Sequence, residues 1–351
     1  MRNEMADSLR VAVLGMAHDH LWTNLTQLSE INDVNLVAGA DADPRLLEQF
    51  TQETGCDAVY DDYEALLEEV KPDAVFGFGA TGEHADVVEM CAPLGIHVMV
   101  EKPMAATLEQ ADRMLAAARK HETRLMINWP TAWSRPLRTA KRLVEEGAIG
   151  DVWQLTWRGG HCGPDELGCS EHFCDFLFDA ELNGAGAFND YGGYGSSMCV
   201  WFLGIPSSVV GVAGRLLKRH LPVDDNGMMI LRYPHAMCRL EMTWTEAVTH
   251  TPPHDIVLYG TEGTLIAGAE VTVHTRSNKE GETVELLDLP AGQTNGPECF
   301  VGSIKANSDP VDLPNPDLSR DAQEIMEAGL LSAINGITVS LPVEHHLFRG
   351  A

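Results

Sequence analysis

The first third of the chain alternates two periodicities. Short apolar, β-branched runs end in glycine or an acid, and each is followed by a stretch with apolar residues every three or four positions. Residues 11–15 (VAVLG) read as a strand, residues 21–28 as a helix, and residues 34–41 (VNLVAGAD) as a second buried strand. Pro44 in the first turn and Gly55 at the end bracket the next helix. Helical DYEALLEEV, strand DAVFGFG, helical HADVVEMCAPLG and strand IHVMV continue the series. Thr107, with Gln110 three residues on, makes a capping box for a helix to about Lys120, and RLMINW closes the run as a strand. Strands separated by helices of this length call for parallel βαβ units with right-handed crossovers. The expected fold class is α/β, with a Rossmann-type doubly wound parallel sheet over residues 1–128. A ligand belongs at the carboxyl ends of its strands.

From residue 129 the pattern changes. A helix (SRPLRTAKRLVEEG) leads into VWQLTWR, which alternates with the two-residue period of a half-exposed strand. A glycine-rich stretch, NGAGAFNDYGGYGSSMCVWFLG, follows. The strand-like runs SSVVGVAG, GMMILRY, MCRLEMTWT, HDIVLYG, TLIAG and VTVHT lack intervening helices long enough for crossovers. Residues 129–351 are therefore expected to form a second, α+β domain on a mainly antiparallel sheet, with DAQEIMEAGLLSAING as a late helix and ITVSLP as a last extended piece.

The length, 351 residues, suits two such domains. A formal net charge of −28 repels phosphate backbones and anionic lipid, which argues against nucleic-acid and membrane partners. The opening MRNEMADSLR is polar, and the apolar run after it is too short for a signal or a membrane span. Eight scattered cysteines without a CxxC pair fit reduced thiols, so the expected location is cytoplasmic.

Two loops could carry chemistry. Gly15-Met16-Ala17-His18-Asp19-His20 joins the first strand to the first helix, where a G-x-G-x-x-G turn cradles a pyrophosphate. Only the first glycine is present; Ala17 and His20 replace the other two. Asp41, at the end of the second strand, is placed to take the ribose hydroxyls of NAD and to repel the 2′-phosphate of NADP, although Arg45 nearby keeps NADP open. Glu101-Lys102-Pro103 ends another parallel strand, and an ammonium there can orient a substrate hydroxyl. Asn128 and Trp129 reach the same edge and are candidate substrate contacts, Trp129 against a sugar face. His161, Cys162, Cys169, His172 and Cys174 do not follow zinc-site spacing, so no metal is expected; His161 is read as a polar contact to substrate. His250 and His254 are weaker candidates of the same kind, and Trp153, Trp157, Trp201 and Trp244 are read as core.

These segments together resemble the Gfo/Idh/MocA oxidoreductase family. The resemblance is carried by PDAVFGFGATGEHADVVEMCAPLGIHV, VEKPMAATLEQADRMLAAA, RLMINWP, GAGAFNDYGGYGSSMCVWFLG, YGTEGTL and RDAQEIMEAGLLSAINGITVSLP, in that order. It implies NAD or NADP, hydride transfer at a carbon-bound hydroxyl or carbonyl of a sugar-like small molecule, and an open second sheet that supports a homodimer or tetramer. It assigns Lys102 to the reacting oxygen, Glu101 to the nicotinamide end of the cofactor, and Gly79, Thr81 and His84 to cofactor contacts. In the family's second signature the acid/base is a histidine four residues after an aspartate. Here Asp190 and Gly192 fit, but that position is Tyr194, as in branches similar to glucose–fructose oxidoreductase and dihydrodiol dehydrogenase. Ser197 stands where a further aspartate is usual. Tyr194 is thus the expected acid/base, with Asp190 as hydrogen-bond partner and Lys102 lowering the phenol toward neutrality. Two alternatives use the same residues: a glycoside-cleaving enzyme with no net redox, and a non-catalytic NAD-binding regulatory module.

Overall fold

The computed structural model describes residues 8–251 and 253–343. Its first sheet has six parallel strands in the order β3-β2-β1-β4-β5-β6: β1 (Leu9–Leu14), β2 (Val34–Ala40), β3 (Val59–Tyr60), β4 (Ala74–Gly77), β5 (His97–Glu101) and β6 (Leu125–Asn128). The direction of winding reverses between β1 and β4, and that reversal opens a crevice at the strand ends. β4 is fully buried along its length and β5 nearly so, because helices cover both faces. The expected helix signals operate: Gly55 closes Pro44–Thr54 at φ +71°, and Thr107 and Gln110 exchange capping bonds. The two-residue strand β3 is too short to register as a periodic pattern.

The second sheet has nine strands, ordered β14-β13-β12-β11-β7-β10-β9-β8-β15. They are β7 (Val152–Gly160), β8 (Ser208–Gly214), β9 (Asn226–Arg232), β10 (Met237–Thr243), β11 (Ile256–Gly260), β12 (Gly263–Ala267), β13 (Val271–Thr275), β14 (Glu282–Val284) and β15 (Val339–Ser340). All pairs are antiparallel except β7 with β10. One face packs on helices Ala187–Leu203 and Pro316–Asn335; on the other, Trp153, Val210, Val212, Met228 and Ile230 are exposed. Trp153 is therefore not a core residue.

The glycine-rich stretch is the 17-residue helix Ala187–Leu203. Its glycines mark close approaches: a Cβ at Gly193 would fall 2.7 Å from the Trp129 ring, and one at Gly195 3.0 Å from Leu240. The helix lies between the two sheets, with Trp129, just past the end of β6, and Trp157 of β7 against it. Asp224 fixes its start by accepting the Gly186 and Phe188 amides, each at 2.8 Å. The chain later returns to the first sheet. Helix Gly296–Ala306 sends Phe300 into the core beside Phe76, and Ile127 donates its amide to the Pro314 carbonyl.

Candidate active site

The crevice floor is built from three strand ends. Gly15 leaves β1 at φ +77°, and a Cβ there would fall 2.6 Å from Gly79 Cα, so two loops meet backbone to backbone. Asp41, at the end of β2, is 8% exposed and accepts the Met16 amide at 2.7 Å and the Asp43 amide at 2.8 Å. Burial raises its carboxyl pKa, against those two hydrogen bonds. Arg45, exposed beside it, pairs with Asp43 (2.7 Å) and Glu171 (3.3 Å).

Glu101 and Lys102 end β5, with the Lys102–Pro103 peptide cis. Lys102 Nζ donates to Asp190 Oδ1 at 2.8 Å, and both side chains are about 5% exposed. Trp244, fully buried, donates its indole N–H to Asp190 Oδ2 at 3.0 Å. Asp190 and Tyr194 lie one helical turn apart on the glycine-rich helix, which brings the phenol ring to 4.8 Å from Lys102 Nζ. A lysine from the first domain and a tyrosine from the second thus meet at the mouth of one crevice. Burial opposes the Lys102 ammonium, but Asp190, Tyr194 and Glu101 together outweigh it and hold the lysine above its ordinary pKa. Asp190 is held below the carboxylate range by that ammonium, against burial.

Tyr194 departs from expectation. Burial pushes its phenol up to about 12; the Lys102 ammonium pulls the other way, and Glu101 and Asp190 add to the rise. The fall toward neutrality does not occur because the cost of burying a phenolate, with Glu101 and Asp190 adding to it, exceeds the pull of the ammonium. Trp129 also takes a different place. It is fully buried, donates its indole N–H to Ser319 at 2.9 Å, and packs edge-on against Tyr194 at 5.4 Å, so it braces the phenol from behind. Asn128 is turned inward as well, donating to Glu101 Oε1 at 2.7 Å.

His161 does reach the site. Its ring stacks on Trp244 (3° between planes) and meets Tyr191 edge-on at 5.3 Å. The Gly163 amide donates to Nδ1 at 2.9 Å, leaving Nε2 to carry the proton. His254 and the His250 amide both bind Glu246, which anchors the loop behind His161. Ser197 donates to the Tyr194 carbonyl at 3.0 Å, a helix contact. Two residues escaped the sequence reading. Trp244 passes for core by composition, and Tyr191 is found only once the stretch is known to be helical and adjacent to the Asp190–Tyr194 face.

A roof covers the crevice. Helix Glu171–Leu177 of the second domain places Phe173 at 4.5 Å and Phe176 at 5.9 Å from the His18 ring, and Ala17 and Ala80 pack against the same cluster. Ser170 donates its amide to Asp19 at 2.8 Å, and Thr81 donates to Asn183 at 3.1 Å. Burial drives His18 well below its usual pKa and pushes His84 down to about 4. His84 Nδ1 pairs with the Met104 carbonyl at 3.1 Å, and its Nε2 is buried with no protein partner. A bare backbone floor at Gly15 and Gly79, an acid at the end of β2 and an orphaned buried imidazole nitrogen are a set that a dinucleotide satisfies. The residues that would hold it are Gly15, Ala17, His18, Asp41, Gly79, Thr81, His84 and Glu101. Among the described residues, one group of ligating side chains also converges: His18, His20 and Glu101.

A six-stranded dinucleotide-type sheet joined to a large antiparallel domain, with a lysine and a tyrosine at their junction, defines a class of two-domain oxidoreductases. Residues 9–129 match the oxidoreductase family with an NAD-binding Rossmann fold, and residues 137–266 match the GFO/IDH/MocA C-terminal domain. The chain belongs to the Gfo/Idh/MocA family of oxidoreductases. It is 29% identical over 209 residues to D-glucoside 3-dehydrogenase of Escherichia coli K12, a match spanning 59% of this chain and 58% of that enzyme. It is 28% identical over 342 residues to dTDP-3,4-didehydro-2,6-dideoxy-alpha-D-glucose 3-reductase of Saccharopolyspora spinosa, covering 94% and 97% of the two chains. Among solved structures, an oxidoreductase from Agrobacterium radiobacter in complex with NAD+, L-tartaric acid and magnesium superimposes with a TM-score of 0.80 at 19% identity, over 95% of this chain and 98% of the other. Among the described residues no helix is long and apolar enough to cross a membrane.

Proposed function

We propose that this protein is an NAD-dependent dehydrogenase or reductase acting on a carbon-bound hydroxyl or carbonyl of a sugar or polyol. The observation that carries the reading is the junction of Lys102, Asp190 and Tyr194 at the strand-end crevice. The cofactor supplies or accepts the hydride. The chain does the rest. Lys102, fixed by Asp190, keeps ammonium protons free to hold the substrate oxygen. Tyr194 stores the proton that this oxygen gains on reduction and loses on oxidation. His161 Nε2–H is a further donor toward substrate. The helix Glu171–Leu177 excludes water from the reacting atoms, which strengthens each of these interactions. The acids at Asp41 and Asp43, with Arg45 paired to Asp43, favour NAD over NADP. Named relatives are dehydrogenases and reductases, which favours net redox over redox-neutral glycoside cleavage and over a silent binding module. The exposed face of the nine-stranded sheet supports a homo-oligomer.

Turnover of a sugar panel followed at the reduced-nicotinamide absorbance tests the reading. With the phenol near 12, reduction needs no prior deprotonation and stays flat through neutral pH, whereas oxidation climbs with pH as the phenolate becomes populated. Tyr194→Phe lowers kcat by about 100-fold or more while NADH affinity is kept. A variant that retains a tenth of the wild-type rate, or an oxidation rate that does not change between pH 7 and 10, overturns the assignment.

A further inference from the structure

We propose that His18, His20 and Glu101 form a binding site for one divalent first-row metal ion at the mouth of the crevice. Their ligating atoms all lie within 4.8 Å of one another. His20 Nδ1 stands 3.3 Å from Glu101 Oε1, and His18 Nε2 stands 3.7 Å from Oε2. Metal–ligand bonds of about 2.0–2.2 Å to nitrogen and carboxylate oxygen put adjacent ligands roughly 3–3.5 Å apart, so small side-chain shifts complete the set.

The surroundings favour a cation there. Glu101 is fully buried, yet its oxygens accept only neutral donors, Asn128 Nδ2 at 2.7 Å and the Lys102 amide at 2.8 Å. The Lys102 ammonium is committed to Asp190. A buried carboxylate with no charged donor hydrogen-bonded to it is expensive, and each of its oxygens keeps a lone pair for an ion. Asn128, itself donating to Asn24 Oδ1 at 3.2 Å, fixes the carboxylate as outer-shell groups fix metal ligands. The His20 side chain is 40% exposed and gives the ion a path from solvent. His18 Nδ1 now accepts the His20 amide at 3.2 Å, so Nε2 carries the ring proton. Loading the site moves that proton to Nδ1, which turns the ring away from the His20 amide and gives up this long hydrogen bond in exchange for a coordinate bond. Two imidazoles and one carboxylate, with positions left open, suit Zn2+ and ions like it.

The ion also answers a deficit in the nucleotide loop, a role that rests on the cofactor reading above. No lysine or arginine lies between Gly15 and Ser29, and Asp19, Asp41 and Asp43 stand at or beside the crevice. Arg45 and Lys102 are already paired. The histidine that replaces the third glycine of the fingerprint, His20, is one of the ligands. The substitution that spoils the usual pyrophosphate cradle thus helps to hold a positive charge beside it.

Full-length protein stripped with a chelator is titrated with Co2+ and followed by its visible absorption bands, and Zn2+ stoichiometry is measured by equilibrium dialysis. One ion per chain is expected, with affinity falling at least 100-fold in His20→Gln and in Glu101→Gln; His20→Gln, being at a half-exposed position, serves as the variant whose thermal unfolding stays that of the wild type. Absence of Co2+ binding, or wild-type binding by His20→Gln, overturns the site. NADH affinity, read by fluorescence, should rise at least tenfold with Zn2+ present; equal affinity with and without Zn2+ overturns the ion's role toward the nucleotide. Failure of NADH to bind under both conditions instead sinks the cofactor reading, while the Co2+ titration still decides the site.

Discussion

Asp190→Asn tests the centre of the site with almost no change of shape. The side chain keeps its volume, but Lys102 Nζ loses the carboxylate that it now meets at 2.8 Å. At an effective dielectric of about 20, a pair at that distance attracts by roughly 6 kcal/mol, part of which repays the desolvation of both groups. Removing one partner of a buried pair costs about 3–5 kcal/mol, because the other charge is left uncompensated. The pH dependence gives a second handle. In the wild type Lys102 is raised, so its contribution is fully present below its unfolded pKa and is lost only as pH climbs through the raised folded value. Asp190 is lowered, so its contribution is present above the unfolded carboxyl value and is lost as pH falls through the folded one. In the variant the main raising influence is gone and burial is left to depress Lys102. The unfolded chain then binds more protons than the folded one, and stability rises with pH toward about 10. Urea denaturation at pH 7 and pH 9.5 should therefore show a deficit of about 3–5 kcal/mol that shrinks at the higher pH. A deficit under about 1 kcal/mol, or one that is the same at both values, would refute the buried pair as the organising contact.

Trp244→Phe keeps the ring packed on His161 but removes the indole donor to Asp190 Oδ2; a loss of about 1.5–3 kcal/mol in urea denaturation is expected, the range for hydrogen bonds to charged groups. His84, pushed down to about 4 by burial, makes the fold lose stability as pH falls from about 6.5 through that value. His84→Gln should flatten this acid limb in a pH series of thermal unfolding, and an unchanged limb would assign the loss to other groups.

The alternating periodicities, the capping box at Thr107, the glycine at position 55 and the lysine at the end of β5 are local features, and each was legible in sequence because a single strand or helix turn decides it. That the first sheet is parallel and doubly wound was legible too, since βαβ units leave few arrangements, whereas the order of the strands in both sheets was decided by the fold. The glycine-rich segment was opaque: glycine weakens helix propensity, and only the close approach of Trp129 and Leu240 explains why this helix needs it. Tertiary structure alone turned Trp129 inward, gave Trp244 a carboxylate to hold, and laid Phe173 over His18. It also fixed the sign of the Tyr194 shift. A phenol beside an ammonium reads as acidic until burial and two neighbouring carboxylates, brought in from separate strands and helices, are counted against it. Sequence spacing orders groups along one element, but the electrostatics of a site depend on charges that only folding brings together.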